Sequence, residues 1–493
     1  MSKEAQQAGI ARAQREIDAR KALVSASHFR QKYHFMAQEG WLNDPNGLIW
    51  FRSQYHFFYQ YNPFGSFWSQ MYWGHAVSTD LLHWQYLPVA LVPCDWYDNH
   101  PQGGCFSGSA IVHDGRLWLL YTGTTNQGKG FVQQQCAAFS DDGVTFTKYE
   151  GNPVLPQPDW VQTAFFRDPK VWEHGAWYYM LVGARRGDYG QALLYRSKNL
   201  TEWEFLNTMC ESRGELGYMF ECPDCFSLDG QDVLLFSPMG LKERSSVNLV
   251  GKLDYDTGKF SWNIMGETDW GNDYYAPQSF EDSKGRRILV SWANCWDWMP
   301  FWKDWGPTYR DGWCGHFNVP RTAHLDAKGR LSAEPVEELK SLRCGERARS
   351  EFAVDESPVS LDMTDGSVYD LELKIDRTRT TAKALELILR SDGDMAAVVT
   401  FDFHAKMLYF DRDHSDGWSR GRTKSPLLLE DDVLDIRVLS DTISLEIFSE
   451  HYRTNHSNNI YASAAQNKNY LRAVGGKVWV KSVRTYKMNA CME

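Results

Sequence analysis

The sequence lacks any apolar run that approaches the roughly 20 residues needed to span a bilayer. Its first 30 residues are rich in Lys, Arg, Glu and Gln, and they lack the apolar core of a secretory signal. These two features predict a cytoplasmic protein that does not bind membranes.

Positive charge is also scarce. Lys and Arg together number 52 against 63 Asp and Glu, which gives a formal net charge of −11. Nucleic acids and anionic membrane surfaces repel such a protein, so neither is expected as a partner.

Cysteine shows no pairing pattern. The ten cysteines are scattered along 493 residues, which is typical of reduced, mostly buried thiols rather than of a disulfide framework. Cys222-Pro-Asp-Cys225 is a lone C-x-x-C motif without a second pair or a well-spaced His, so it is a weak signal for zinc or redox chemistry.

The chain is too long for one compact core, and its first segment, 1–30, is predicted to be helical. Over residues 3–27, one apolar stripe at helical spacing contains Ile10, Ala13, Ile17 and Val24. We expect the stripe to pack on the main body. Self-association through the helix is the alternative, so a monomer and a homodimer both stay open.

Residues 31–335 show a loose repeat of roughly 50 to 60 residues, in which an apolar strand, a turn and a second strand follow each opening residue. The openers are Asp44, Ser107, Asp168, Glu221 and the segment 274–278. Five such units predict an all-β, five-bladed β-propeller, in which equivalent strand starts converge at one end of a central channel. A seven-bladed propeller is disfavoured because its repeats are shorter.

The remainder of the chain has a different pattern. Residues 336–349 are predicted to form a short linker helix. Within 350–493, apolar and charged residues alternate, as in Tyr369–Asp376, and this alternation predicts a β-sandwich.

The most informative stretch is Trp41-Leu42-Asn43-Asp44-Pro45-Asn46-Gly47. Asn, Asp, Pro and Gly each favour a tight turn, and the apolar run Leu48–Phe51 predicts a buried strand after it. A carboxylate fixed between two amides is suited to nucleophilic attack. In isolation, however, such a turn more often only caps a hairpin.

Two more acidic stretches recur at matching places in the repeat. Arg167 and Lys170 flank Asp168, and these cations should keep its carboxylate ionised. Glu221 has apolar neighbours and a second acid, Asp224, nearby, which should raise its pKa and suit a general acid. Each acid alone is more often a surface or capping residue, but two carboxylates with separated pKa values are what glycoside hydrolysis requires.

These motifs resemble those of glycoside hydrolase family 32, the β-fructofuranosidases, which include invertases, sucrose-6-phosphate hydrolases and fructan hydrolases. Trp41–Gly47 is similar to the nucleophile motif of the family, Phe166–Pro169 to its second motif, and Glu221–Pro223 to its acid/base motif. Further similar stretches are Tyr59–Pro63, Phe106–Ser109, Tyr275–Gln278 and Ser444–Phe448. The resemblance covers nearly the whole chain and implies a five-bladed propeller followed by a β-sandwich.

The resemblance also implies roles. Asp44 is the expected nucleophile at a terminal β-fructofuranosyl unit, Glu221 the acid/base and Asp168 the transition-state stabiliser. The implied substrate-binding residues are Asn43, Gln60, Trp68, Phe106, Ser107 and Arg167. Retention by double displacement predicts catalytic carboxyl groups about 5–5.5 Å apart, and the reaction needs no metal or organic cofactor.

Several functional alternatives stay open. The small-molecule sugar substrate could be sucrose, sucrose 6-phosphate or a short fructo-oligosaccharide, and a phosphate would favour cations at the pocket rim, for which the candidates are Lys242, Arg244, Lys303 and Arg310. A fructosyltransferase would use the same three acids, and a non-catalytic sugar-binding propeller is the third reading. The Trp-rich segment 292–313 is either a pocket wall or a packed loop, and the sandwich is either structural or sugar-binding.

Overall fold

The structure, a computed structural model, describes residues 3–126, 130–161, 164–242, 244–299, 305–361 and 366–492. Over these residues strands dominate, which confirms the all-β prediction. Lys303, one of the candidate rim cations, and Trp302 of the Trp-rich segment lie outside the described ranges. No helix within those ranges is long and apolar enough to cross a membrane.

The contacts divide the chain into two compact units. The first contains the described residues of Met1–Ser25, Met36–Glu267 and Tyr275–Leu331. The second contains those of Ala26–Phe35, Thr268–Tyr274 and Ser332–Glu493.

The first unit begins with helix α1, Lys3–Ser25. Its buried residues are Gln6, Ala13, Ile17 and Val24, and it contacts the strand Trp84–Leu91. Gly9 allows this close approach, since a Cβ there would lie 2.3 Å from Cγ1 of Val92. The predicted helix and its packing on the main body are therefore confirmed.

The strands of the first unit form antiparallel sheets in chain order. The first contains β1 (Gly40–Phe51), β2 (Gln54–Asn62), β3 (Tyr72–Ser78) and β4 (Trp84–Leu91). The second contains β5 (Cys105–His113), β6 (Arg116–Asn126), β7 (Phe131–Ser140) and β8 (Thr147–Lys148). The third contains β9 (Phe166–His174), β10 (Trp177–Arg186), β11 (Tyr189–Ser197) and β12 (Glu204–Glu211).

Two more sheets follow. The fourth contains β13 (Met219–Leu228), β14 (Gln231–Met239), β15 (Val247–Asp254) and β16 (Lys259–Glu267). The fifth contains β17 (Tyr275–Glu281), β18 (Arg287–Trp292), β20 (Arg321–Leu325) and β21 (Leu331–Pro335). Between β18 and β20 in the chain lie the short helix α2 (Pro307–Arg310) and β19 (Trp313–Cys314), and β19 pairs in parallel with β1.

The first strand of each sheet is the one that positions the candidate site. β1, β5, β9, β13 and β17 contact one another in that order, and β17 also contacts β1. Apolar side chains fill the space between successive sheets, as where Phe58 and Trp73 of the first sheet cluster with Leu117 and Tyr121 of the second. The openings of the five predicted repeats are thereby brought into one ring of strands.

The second unit has two six-stranded antiparallel sheets. In order, one contains β22 (Arg343–Val354), β33 (Val478–Met488), β24 (Tyr369–Asp376), β29 (Val433–Ser440), β30 (Ser444–Ser449) and β31 (Thr454–Asn459). The other contains β23 (Val359–Ser360), β32 (Lys468–Val474), β25 (Ala384–Ser391), β26 (Ala397–Asp402), β27 (Met407–Asp411) and β28 (Arg422–Pro426). One buried core contains residues of both sheets, such as Leu371 and Leu387.

The linker prediction needs a correction. Only Glu337–Leu342 is helical, as a 3-10 helix, and β22 already begins at Arg343. Residues 343–349 pair with β33, where Arg343 lies opposite Met488, so strand pairing prevails over the local helical pattern.

Candidate active site

The first strand of each sheet in the first unit is bulged where the sequence repeat opens. Register shifts fall between Leu42 and Pro45, Phe106 and Gly108, Arg167 and Lys170, Glu221 and Asp224, and Tyr275 and Gln278. Bulges redirect side chains and are frequent beside active sites. The stretch 41–47, predicted as a turn, is therefore part of a bulged strand, because Pro45 and Asn46 still pair with β2.

Three of these bulges contain a residue with a positive φ. The angles are 66° at Asp168, 46° at Cys222 and 50° at Ala276. Such backbone conformations are costly for residues with a side chain, and strain of this kind clusters at functional sites. The strain therefore coincides with the acidic residues of the repeat.

Asp44 is buried, with 9% of its surface exposed. Its Oδ2 accepts a hydrogen bond of 2.6 Å from the Ser107 hydroxyl. Burial raises the pKa of Asp44, the charge of Glu221 adds to the rise, and the Ser107 hydrogen bond opposes it. Among the described residues, Oδ1 accepts no hydrogen bond of standard geometry although it is buried. An unsatisfied buried oxygen of this kind is available to a reaction partner.

Asp168 is buried on the next-but-one sheet. Its backbone N–H donates to the Thr122 hydroxyl at 2.9 Å, and its Oδ2 accepts the N–H of Cys222 at 2.9 Å. Burial raises the pKa of Asp168 to about 7, the charge of Arg167 opposes this, and the charges of Glu221 and Asp44 add to it.

The expectation that flanking cations keep Asp168 ionised is therefore wrong. Lys170 does not pair with it, because its ammonium group lies 2.9 Å from Oδ2 of Asp224 and also bonds the Ser279 carbonyl. Arg167 remains, at 3.7 Å from Oδ2 of Asp168, but it is shared with Glu221. One shared cation does not offset the burial of the carboxylate.

Glu221 has two strong partners. Arg167 donates to its Oε1, through Nε at 3.2 Å and through Nη2, and the Tyr275 hydroxyl donates to its Oε2. The second acid expected beside it, Asp224, is instead engaged with Lys170 and with the N–H of Ser279. A charged fork and a phenol thus fix both oxygens of the Glu221 carboxyl group.

The three acids meet around two shared neighbours. The Cys222 thiol lies 3.5 Å from Oδ2 of Asp44 and 3.6 Å from Oδ2 of Asp168. Burial and these carboxylates raise the pKa of Cys222 well above its usual range, so the group is a neutral thiol that can donate its hydrogen. Arg167 joins Asp168 to Glu221 in the same way.

Two of the residues expected to bind substrate contact these acids, and the other four are placed by their own neighbours. Ser107 and Arg167 contact them directly, and the side chain of Asn43 accepts a hydrogen bond of 2.7 Å from the Trp41 indole. Half-buried Phe106 pairs with Trp68 at 6.2 Å between ring centroids. Gln60 donates to the carbonyl of Cys105, the residue before Phe106, at 2.9 Å.

Sequence reasoning missed three contributors to the site. Thr122 and Cys222 hold Asp168, and Tyr275 holds Glu221. The signal for Tyr275 was its place at the opening of the fifth repeat. For Thr122 the sequence carried no signal, because it lies in the second strand of its sheet.

Aromatic residues of the Trp-rich segment lie beside Trp41, whose indole bonds Asn43. Trp296 stacks on Trp41 with ring centroids 6.1 Å apart and an interplanar angle of 23°, and it contacts Trp292 at 4.6 Å. Trp298 is paired with Trp305 instead, at 5.2 Å.

Comparison with known proteins places this arrangement in a family. The model for the N-terminal domain of glycosyl hydrolases family 32 matches residues 34–335, and the model for the C-terminal domain matches residues 338–487. The chain belongs to glycosyl hydrolase family 32. It is therefore a glycosidase of this family, and the acidic stretches that pointed to it lie within the N-terminal match.

Curated family 32 relatives match along most of their length. A sucrose-6-phosphate hydrolase of Zymomonas mobilis is 37% identical over 452 residues, which cover 87% of this chain and 85% of the relative. A sucrose-6-phosphate hydrolase of Bacillus subtilis is 36% identical, with 89% and 90% covered. A raffinose invertase of Escherichia coli is 35% identical, with 90% and 92% covered.

Solved structures agree with the fold. A family 32 β-fructofuranosidase of Bombyx mori has a TM-score of 0.83 at 30% identity and covers 99% of both chains. A sucrose-6-phosphate hydrolase of Lactobacillus gasseri has a TM-score of 0.85 at 26% identity and covers 97% of both chains.

Proposed function

We propose that this protein is a retaining β-fructofuranosidase that removes terminal β-D-fructofuranosyl units from sucrose, sucrose 6-phosphate or short fructo-oligosaccharides. The observation that carries the proposal is the convergence of Asp44, Asp168 and Glu221, from three different sheets, on one thiol and one guanidinium. The names of the relatives support the substrate class.

The proposed fold of the catalytic part is a five-bladed β-propeller over 31–335, followed by a β-sandwich over 350–493. The ring of contacts from β1 through β5, β9, β13 and β17 back to β1 supports the five blades. The shared core of the two six-stranded sheets supports the sandwich. The boundaries themselves stay predictions.

The proposed reaction has two displacements. In the first, Oδ1 of Asp44 attacks the anomeric carbon, and Glu221 donates a proton to the leaving glycosidic oxygen. In the second, Glu221 takes a proton from water, and the hydroxyl group of that water displaces Asp44 with net retention. Fixing of Oδ2 by Ser107 leaves Oδ1 for bond formation, which supports this assignment of the nucleophilic oxygen.

Asp168 is proposed to stabilise the transition state by accepting hydrogen bonds from fructose hydroxyls. These bonds strengthen as the ring takes on oxocarbenium character. Asn43, Gln60, Trp68, Phe106, Ser107 and Arg167 are proposed to line the fructose pocket. Burial of most of these groups supports the role, since a water-poor site strengthens each polar contact.

The choice between sucrose and its 6-phosphate is proposed to depend on Lys242. Partial burial and the charge of Glu221 raise the pKa of Asp297, whereas the charge of Lys242 opposes the rise. Glu221 and Lys242 are therefore both close enough to Asp297 to affect its charge. Arg244, by contrast, is paired with Glu267 at 3.2 Å. A cation on the Glu221 side of the site is suited to a phosphate on the leaving sugar.

The deciding experiment is a reaction with sucrose, sucrose 6-phosphate and kestose followed by proton NMR. We expect β-fructose to be released first, with the anomeric configuration retained. Release of α-fructose would contradict double displacement, and kestose-sized products at high sucrose would instead identify a fructosyltransferase. Binding without turnover would revive the non-catalytic alternative.

The same assay tests Lys242. Lys242→Met should lower kcat/KM for sucrose 6-phosphate by about tenfold relative to sucrose, whereas Arg244→Met should not change the ratio. A ratio unchanged in Lys242→Met would exclude phosphate recognition by this residue.

A further inference from the structure

The first unit contains a half-enclosed cavity of about 590 Å³ that includes none of the residues assigned to the reaction. Its walls are the first turns of α1, the turn around Trp96 and the segment 145–150. This volume lies within the roughly 300–1,000 Å³ of typical small-molecule sites.

Trp96 is the unusual residue of this cavity. Its side chain is 58% exposed, more than any other large apolar residue in the described part of the chain. Exposure of an indole to water is unfavourable, and Trp is enriched where a binding partner covers it. The neighbouring Tyr97 ring, 5.6 Å away between centroids, stands edge-on to it at 82°.

The turn that presents Trp96 is held rigidly. The buried carboxylate of Asp98 accepts the N–H groups of Cys94 at 3.1 Å and Asp95 at 3.0 Å, and the ammonium group of Lys148 at 2.5 Å. A buried ion pair adds little net stability over apolar packing, so its contribution here is a fixed geometry. A fixed indole loses little freedom on binding, which favours affinity.

The polar groups around the indole define the ligand. Gln7 and Thr147 bring an amide and a hydroxyl to the cavity, Asp95 and Glu150 bring carboxylates, and Lys3 brings an ammonium group. The amide of Gln6 is also in the wall, but it already donates to the Phe146 carbonyl at 2.9 Å. The charge of Lys148 is already matched by Asp95 and Asp98, at 3.2 and 2.5 Å. The carboxylates of Asp95, Glu150 and Asp98 outnumber the ammonium groups of Lys3 and Lys148, and this excess of negative charge disfavours an anion. Amides and carboxylates bond neighbouring hydroxyls well, while an aromatic face covers C–H groups.

We propose that this cavity is a second, non-catalytic sugar site in which a neutral pyranose ring stacks on Trp96. It is separate from the carboxylate site, so it does not depend on the reaction assigned above.

The test uses the full-length protein labelled with 5-fluorotryptophan and titrated with methyl α-D-glucopyranoside, which has no fructosyl bond to cleave. Trp96→Phe assigns the fluorine resonance of Trp96. Trp160→Phe assigns a control indole that is 51% exposed in the same unit. We expect the Trp96 resonance to shift saturably with a millimolar dissociation constant, and the Trp160 resonance to stay in place.

Two further measurements sharpen the result. Gln7→Ala should weaken the dissociation constant seen at Trp96 several-fold, and in calorimetry Trp96→Ala should lose a glucoside-binding event that Trp160→Ala keeps. A Trp96 resonance that does not move with the glucoside would overturn the proposal. So would a resonance that moves with sodium sulfate alone, which would identify an anion site instead.

Discussion

Each unit of the protein buries a cluster of acids, and the two clusters are built in opposite ways. In the first unit, Asp168 and Glu221 share one guanidinium group, and Oδ1 of Asp44 accepts no standard hydrogen bond within the described chain. In the second unit, His34 lies between two carboxylates, with Nδ1 at 2.9 Å from Asp441 and Nε2 at 2.8 Å from Glu446.

Asp168 and Asp441 are both buried, so the difference between their pKa values comes from their hydrogen-bond and charge partners. Burial raises the pKa of Asp168 to about 7 because Arg167 offsets it only in part. Burial would also raise the pKa of Asp441, yet the hydrogen bond and charge of His34 and the N–H groups of Tyr33 and Lys32 lower it. Ionised Asp168 therefore costs stability that ionised Asp441 does not, and we attribute this cost to the reaction.

The largest expected effect is on turnover. Asp44→Asn should lower kcat by at least about 10⁴-fold, because the amide cannot form the glycosyl ester.

Glu221→Gln should lower kcat by about 10²- to 10⁴-fold, and the loss should be smaller for substrates with a good leaving group. Steady-state kinetics with sucrose and with an aryl β-fructoside measures both. Ser463→Ala, a substitution in the second unit, should retain wild-type kcat, and wild-type activity in Asp44→Asn would refute its role.

The second effect is on stability, in the second unit. His34→Gln should cost roughly 3–5 kcal/mol, because it leaves two buried carboxylates without their cation. Burial alone would lower the pKa of His34. The hydrogen bonds to Asp441 and Glu446 outweigh this effect and raise the pKa to about 9. A raised histidine pKa stabilises the fold fully below its unfolded value of about 6.5, and this stabilisation is lost as the pH rises through about 9. The cost of His34→Gln in calorimetric unfolding should therefore shrink between about pH 6.5 and pH 9 and stay small above pH 9.

His456 provides the control for that experiment. It is buried between the hydroxyls of Thr423 and Ser425, and burial lowers its pKa to about 3. Because this ring is neutral throughout, the cost of His456→Gln should be constant between pH 7 and 10. A pH-independent cost at His34 would contradict the charged bridge.

A smaller effect of opposite sign is expected at Asp168. The native pKa of about 7 lies above the unfolded value of about 4, so the stability of the wild type falls as the pH rises between the two. Asp168→Asn mimics the protonated form. It should raise stability by roughly 2–4 kcal/mol at pH 8 and leave it unchanged near pH 4. Equal gains at both values would show that charge is not the cause.

The smallest effect concerns the Trp-rich segment. Trp296→Ala should raise KM for sucrose by about tenfold with less change in kcat, because Trp296 supports Trp41, whose indole holds Asn43. Trp298→Ala should have less effect, since Trp298 pairs with Trp305. Unchanged KM in a folded Trp296→Ala protein would leave the segment as a packed loop.

The strands and the acidic site residues could be predicted from the sequence, because both depend on short local patterns. The openers of the repeat could be found from Asp44, Asp168 and Glu221 and from the apolar runs after them. The partner of each side chain could not be found in this way. Lys170 is only two residues from Asp168 in the sequence, but its ammonium group bonds the carboxylate of Asp224 on another strand.

Long-range pairing accounts for the other differences. Pro45 and Asn46 suggest a turn locally, but pairing with β2 makes them part of a strand. Similarly, His34 gave no sign of its partners, which lie about 400 residues away. Such contacts depend on the assembled fold and leave no trace in local spacing.

The second unit is discontinuous in sequence, and this limits where the protein can be truncated or its domains exchanged. It takes Ala26–Phe35 and Thr268–Tyr274 from within the first 335 residues. In those segments Asp269 bonds Ser457 and Asp273 pairs with Arg412 at 2.6 Å. A product truncated after residue 335 would expose the buried charges of His34, Asp269 and Asp273 at once. The part of the chain after residue 335 is thus not a detachable accessory, and chimeras between relatives should exchange all three segments of the second unit together.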